Sequence, residues 1–200
     1  RRDMMLVEET QVVEAALPVA ELKEHLRLGS GFSESDLQDS VLVSFLRAAL
    51  AAIEARTSKA LITRGFVLTL DTWKSPAVQP LPIAPVASVT EIAVVDSFGA
   101  STVVDPASYR LQADAFQPKI RPLVSCLPSV ENDGSVEIRF QAGYGATFDA
   151  VPDDLRQAVM LLAAHYYEYR DETALGQGCM PFGVTSLIAR YRPVRIGLNA

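Results

Sequence analysis

Apolar and charged residues alternate most regularly in Val136-Glu137-Ile138-Arg139-Phe140, which places Val136, Ile138 and Phe140 on one face of a half-buried strand. Gly143-Tyr144-Gly145 ends that strand. Glycines at both positions permit backbone angles that a side chain forbids, so the three residues form a structural turn with a tyrosine held between them. A helix is expected next. Pro152 suits its first position, and Asp153 and Asp154 bring negative charge to its positive end. Leu155, Val159, Leu162, Tyr166 and Tyr169 then recur at helical spacing and form one stripe.

The same reading places two helices near the start of the chain. Leu17 to Leu26 reads as a short helix, with Pro18 near its beginning, Leu22 and Leu26 on one face and Gly29 after its end. Ser33 followed by Asp36 resembles a capping box, and no proline or glycine intervenes before Gly65. A helix from Glu34 to Thr57 is therefore expected, on the order of 35 Å long. Ser40, Ser44, Arg47 and Glu54 fall on a narrow polar stripe of it. Leu37, Val41, Leu42, Phe45, Leu46, Ala49, Leu50 and Ile53 cover most of the remainder, a pattern that calls for packing on more than one side.

Between Pro76 and Pro128 the chain carries eight of its twelve prolines, so strands there must be short or lie at edges. Phe66–Leu70, Val89–Val95, Thr102–Val104 and Tyr109–Leu111 join Val136–Phe140 in an expected antiparallel sheet, with a turn at Asp96-Ser97-Phe98-Gly99. After Glu172 come Gly176-Gln177-Gly178, a short helical stretch near Val184 to Arg190 and a basic end. The expected fold class is α+β: a helical frame with long central helices and an inserted proline-rich antiparallel β region. In that reading residues 1–64 and 147–192 supply the frame, 65–146 the insertion and 193–200 an extended tail.

Taken together, the early short helix, the long helix, the proline-rich β region, the strand ending in AGYG and a VPxxLRQAxxLLxAHxYExR helix occur in that order over residues 17 to 170. This pattern resembles the small head-tail connector (adaptor) proteins of long-tailed phages and phage-derived gene transfer agents. The resemblance implies a twelve-fold homo-oligomeric ring below the portal protein that extends the DNA channel and docks a tail-side neck or stopper protein. It also implies a place in the neck of a virion or phage-like particle, assembled in the host cytoplasm. A neck or stopper protein one level further down is the alternative within phage biology. A small-ligand-binding or hydrolase domain, with its site in the proline-rich region, is the alternative of another class.

Composition narrows the chemistry. The chain has 200 residues, 49% of them hydrophobic, enough for a core without disulfides or metals. No apolar run reaches the roughly 18 residues of a spanning helix, so no membrane role is expected. The formal charge of −6 argues against a protein that grips nucleic acid and suits a channel through which DNA slides. Cys126 and Cys179 lack metal spacing and read as idle thiols.

His165 and Glu168 lie three apart on a helix, but no further ligands accompany them, and no metal or cofactor is expected. Gly29-Ser30-Gly31 lacks the spacing of a nucleophile elbow. Asp153 and Asp154 read as helix-end charges, and Tyr166, Tyr167 and Tyr169 as packing groups rather than a base-stacking platform. No catalytic residue emerges, and an enzyme is not expected. Arg190, Tyr191, Arg192, Pro193, Val194, Arg195 and Ile196 are basic, have no acid after Glu172 and combine the Arg and Tyr that interfaces favour. With the resemblance they become candidate portal-binding residues; without it they read as a solvated terminus.

Overall fold

The computed structural model describes residues 4–26, 36–169 and 180–193. Two compact units share them, one built from residues 1–12 and 62–144, the other from 13–61 and 145–200.

The first unit is a β structure. Its five-stranded antiparallel sheet contains β1 (Met4–Glu8), β2 (Arg64–Leu70), β4 (Val86–Val95), β5 (Ser101–Val103) and β8 (Ser135–Ala142), in the spatial order β1-β2-β8-β4-β5. The alternation in β8 sets the register: Phe140 faces Phe66, Ile138 faces Leu68 and Ile92, and Val136 faces Leu70 and Val94. Phe66, Leu68, Ile92, Val136, Ile138 and Phe140 are buried, with the Phe66 and Phe140 rings stacked at 5.7 Å. On the opposite face Arg139 reaches Glu9 at 2.5 Å, Glu137 at 3.0 Å and Glu91 at 3.5 Å. These half-exposed ion pairs fix side chains more than they stabilise the fold.

Prolines shape the second sheet of this unit, formed by β3 (Gln79–Pro80), β6 (Tyr109–Gln112) and β7 (Lys119–Pro122) in the order β3-β7-β6. β3 has two residues, and Pro122 occupies the last position of the central strand, where a missing N–H interrupts least. Trp73 donates from Nε1 to the Pro128 carbonyl at 2.7 Å and ties the two ends of the proline-rich stretch together.

The second unit is helical, with α1 (Val19–His25), α2 (Asp36–Thr57), α3 (Asp153–Glu168) and α4 (Phe182–Ile188). Leu42, Leu46, Ala49, Leu50 and Ile53 form the buried stripe of α2 at helical spacing, and Leu155, Val159 and Leu162 that of α3. α1 and α3 both pack on α2. Phe45 meets Tyr167 edge to face at 6.3 Å, and Gln38 donates to the Tyr167 hydroxyl at 3.1 Å. Val41 is exposed, so the apolar surface of α2 is covered on one side rather than on most of its circumference. Ser58, at φ 54°, ends the helix in the left-handed region. The Gly29 stop and Ser33 cap expected from the sequence lie outside the described residues.

This architecture corrects the expected fold class. A frame of long central helices does not form among the described residues: the α-helices have 7, 22, 16 and 7 residues and share a mixed chain with two antiparallel sheets. The reason lies in the sheet's own core. Two-sided pairing of β8 buries a contiguous set of large apolar side chains, and Met4–Glu8 adds a further strand on β2 before any helix begins. The β region is thus a packed unit that includes the first strand of the chain, not a decoration on a helical frame. Pro152 and Pro181, each directly before a helix, also divide the C-terminal helical sequence into short pieces.

Candidate functional site

Chemistry in the helical unit converges where the C-terminal segment meets the first turn of α3. α4 packs against α3 through buried Val184 and Ile188, and a 3-10 turn over Ala189–Tyr191 continues it. Tyr191 follows Ile188 by three positions and is buried as well. Its hydroxyl donates to Asp154 Oδ1 at 2.7 Å, Arg190 donates to that hydroxyl at 2.6 Å, and the Arg190 guanidinium pairs with Asp154 Oδ2 at 2.7 Å. The guanidinium also lies 4.8 Å from the Tyr191 ring centroid. Burial, and after it the hydrogen bond to Asp154, holds the Tyr191 phenol above its ordinary value.

This triangle is a latch between the C-terminal segment and the first turn of α3. Arg192 is extended, as a residue before proline must be, and both it and Pro193 are exposed. Val194, Arg195 and Ile196 lie outside the described residues. From the sequence Asp154 reads as a helix-end charge, and its partnership is not visible there because Tyr191 lies 37 positions further on. Asp153 does behave as a local helix-end group, pairing with Arg156 three residues on, which also reaches Asp149 at 3.5 Å.

The structural turn lies where the chain passes from one unit to the other. Gly143 has φ +144°, and its N–H donates to the Pro85 carbonyl at 2.9 Å. A Cβ there would stand 2.3 Å from Thr63 N and Cα and 2.6 Å from Ile62 C, all backbone atoms. Gly145 answers to a different constraint. No positive φ is required of it, but its Cβ would stand 2.3 Å from the Ala150 Cβ. Tyr144 between them is half-buried.

Other candidate groups are dispersed. His165 is half-buried with its ring 4.6 Å from that of Tyr169, and its Nε2 has no hydrogen-bond partner among the described residues. His25 and Glu168 are exposed, Cys126 is an exposed free thiol, and Cys179 lies outside the described residues. Among the described residues no three metal-binding side chains come together, and no helix is long and apolar enough to cross a membrane.

Comparison with solved structures supplies what side-chain chemistry does not. A chain in the neck of an empty gene transfer agent particle, computed with C6 symmetry, is 53% identical, with a TM-score of 0.87 over 96% of this chain and 97% of that one. A chain in the virion of a native gene transfer agent particle is 52% identical, with a TM-score of 0.84 and the same coverage. A third, in the neck of a native particle computed with C12 symmetry, is 49% identical, with a TM-score of 0.82 over the same shares. The chain belongs to the family of gene transfer agent neck proteins. As a member of that neck family it is a structural component, located in the neck region of a phage-like particle. No protein-family model and no curated protein matches the chain.

Proposed function

We propose that this neck protein is the head-tail connector (adaptor): a twelve-copy ring directly below the portal that extends the DNA channel and docks the tail-side neck or stopper protein. The observation that carries the reading is the likeness, over nearly the whole chain, to neck chains in maps of both C6 and C12 symmetry. A ring of twelve obeys both symmetries, because six-fold rotations are a subset of twelve-fold ones, whereas a ring of six does not obey C12. That argument favours the adaptor over a six-copy component further down.

Contact with the portal is assigned to Arg190–Ile196. Arg190 and Tyr191 root the segment on Asp154, and the basic, proline-containing stretch that follows is suited to lie along a partner surface. The surplus of acidic over basic residues, 24 against 18, suits a channel wall that repels DNA phosphates and lets the duplex slide. The test is co-purification with the portal. The 200-residue chain should form rings that bind it, and a chain ending at Pro193 should keep its fold and lose the portal; undiminished binding by the shortened chain would refute the assignment of Val194, Arg195 and Ile196.

A further inference from the structure

Among the described residues no further strand pairs with either edge of the five-stranded sheet, and the two edges differ in character. At one edge β1 displays Met4 and Met5, each 58% exposed, and Val7. At the other edge β5 displays Val103, and the turn leading into it holds Phe98 at 95% exposure. Neither edge strand contains the lysine or proline that commonly protects such an edge from pairing.

Phe98 is not on a loose loop. Asp96 Oδ1 accepts the N–H groups of Phe98 at 2.9 Å and Ala100 at 2.8 Å, the Gly99 N–H reaches the Asp96 carbonyl at 3.1 Å, and the Asp96 N–H reaches the Ala100 carbonyl at 3.0 Å. Gly99, at φ +85°, takes the left-handed conformation that closes the turn. A large aromatic side chain is therefore presented to solvent on a backbone already fixed in place, so little ordering entropy opposes its burial against a partner.

We propose that Phe98 and Val103 of one copy pack on Met4, Met5 and Val7 of the next, so that the two edges of this sheet form the contact that closes the ring. The inference rests on the ring reading above. Rotational closure needs two different complementary patches on each subunit, and a single sheet carries them at its opposite ends. The four successive antiparallel pairings leave β1 and β5 running in the same direction, so copies related by the ring rotation would bring the two edges together as parallel strands. Methionines at the receiving edge can adapt to the shape of an aromatic ring. The occupant is thus a second copy of this chain, not the portal and not the tail-side protein.

The experiment places p-benzoyl-phenylalanine at position 98 and irradiates assembled particles, with cross-links mapped by mass spectrometry and copies counted by cryo-electron microscopy. The expected result is a chain-to-chain conjugate joining position 98 to residues 4–7 of another copy. Cross-linking to a different protein, to another segment of this chain, or to nothing within a ring of normal copy number overturns the interface and leaves the ring reading standing. Absence of a ring of this chain in the neck overturns both. As a second measurement, Phe98→Asp and Met5→Asp should each lower particle yield by roughly tenfold or more. Phe98→Asp should melt as the unaltered protein does, because its side chain is 95% exposed; unchanged yield from both variants overturns the proposal.

Discussion

Substituting alanine for Gly143 tests the link between the chain's glycine pattern and its architecture. The new methyl group meets the problem twice. At φ +144° an L side chain is strained, and the Cβ would fall 2.3 Å from Thr63 N and Cα, where real carbon contacts do not occur. Those neighbours are backbone, so no rotamer change relieves the overlap, and moving the backbone disturbs the hydrogen bond from Gly143 N–H to Pro85. Strain and overpacking together amount to about 2–5 kcal/mol. For a chain of this size the melting temperature should fall by about 5–15 °C. Gly145→Ala provides the contrast, because its obstacle is the side-chain methyl of Ala150 and not backbone. Combining Gly145→Ala with Ala150→Gly should recover at least half of the stability that Gly145→Ala loses, whereas truncating Thr63 should recover nothing for Gly143→Ala. Calorimetry of the full-length variants decides it. A Gly143→Ala protein that melts within about 1 °C of the parent would refute the reasoning.

Three further outcomes follow from the same geometry. Tyr191→Phe should destabilise the helical unit by about 1 kcal/mol, read by urea titration monitored by circular dichroism. The raised pKa of Tyr191 means that its contribution is fully present below the unfolded value of 10.0 and is lost as pH rises through the higher folded value; stability should therefore decline above pH 10, less steeply in Tyr191→Phe. A chain ending at Pro193 should keep its helical circular dichroism and melting temperature while failing to co-purify with the portal, because the latch on Asp154 precedes the cut. Replacing the exposed Cys126 with serine should leave melting and particle yield unchanged, as measured by differential scanning fluorimetry and a particle count.

Local periodicity made much of the secondary structure legible. The alternation in Val136–Phe140 marks a strand that is buried on one face, and the spacing of Leu155, Val159 and Leu162 marks the face that α3 buries. Gly143 stands out in the sequence for the backbone angles it permits, and the structure places it where a Cβ would meet the Ile62–Thr63 backbone. What escaped was long-range. Met4-Met5-Leu6-Val7-Glu8 has no alternation because β1 lies at an edge with both faces largely exposed, so nothing in its pattern announces a strand. Without β1 and the two-sided pairing of β8, the sheet reads as an insertion, and the helices around it read as its frame. Asp154 escaped for a related reason: its local setting at a helix start already accounts for an acid, and its partners Arg190 and Tyr191 arrive only through the packing of α4 on α3.

The central claim is that this neck protein forms the ring adjoining the portal, and reconstruction of the particle neck by cryo-electron microscopy without imposed symmetry tests it most directly. The account predicts twelve copies of the chain in one ring, in contact with the portal on one side and with a tail-side protein on the other, around a central DNA path. Six copies, or a ring separated from the portal by a layer of another protein, would contradict it.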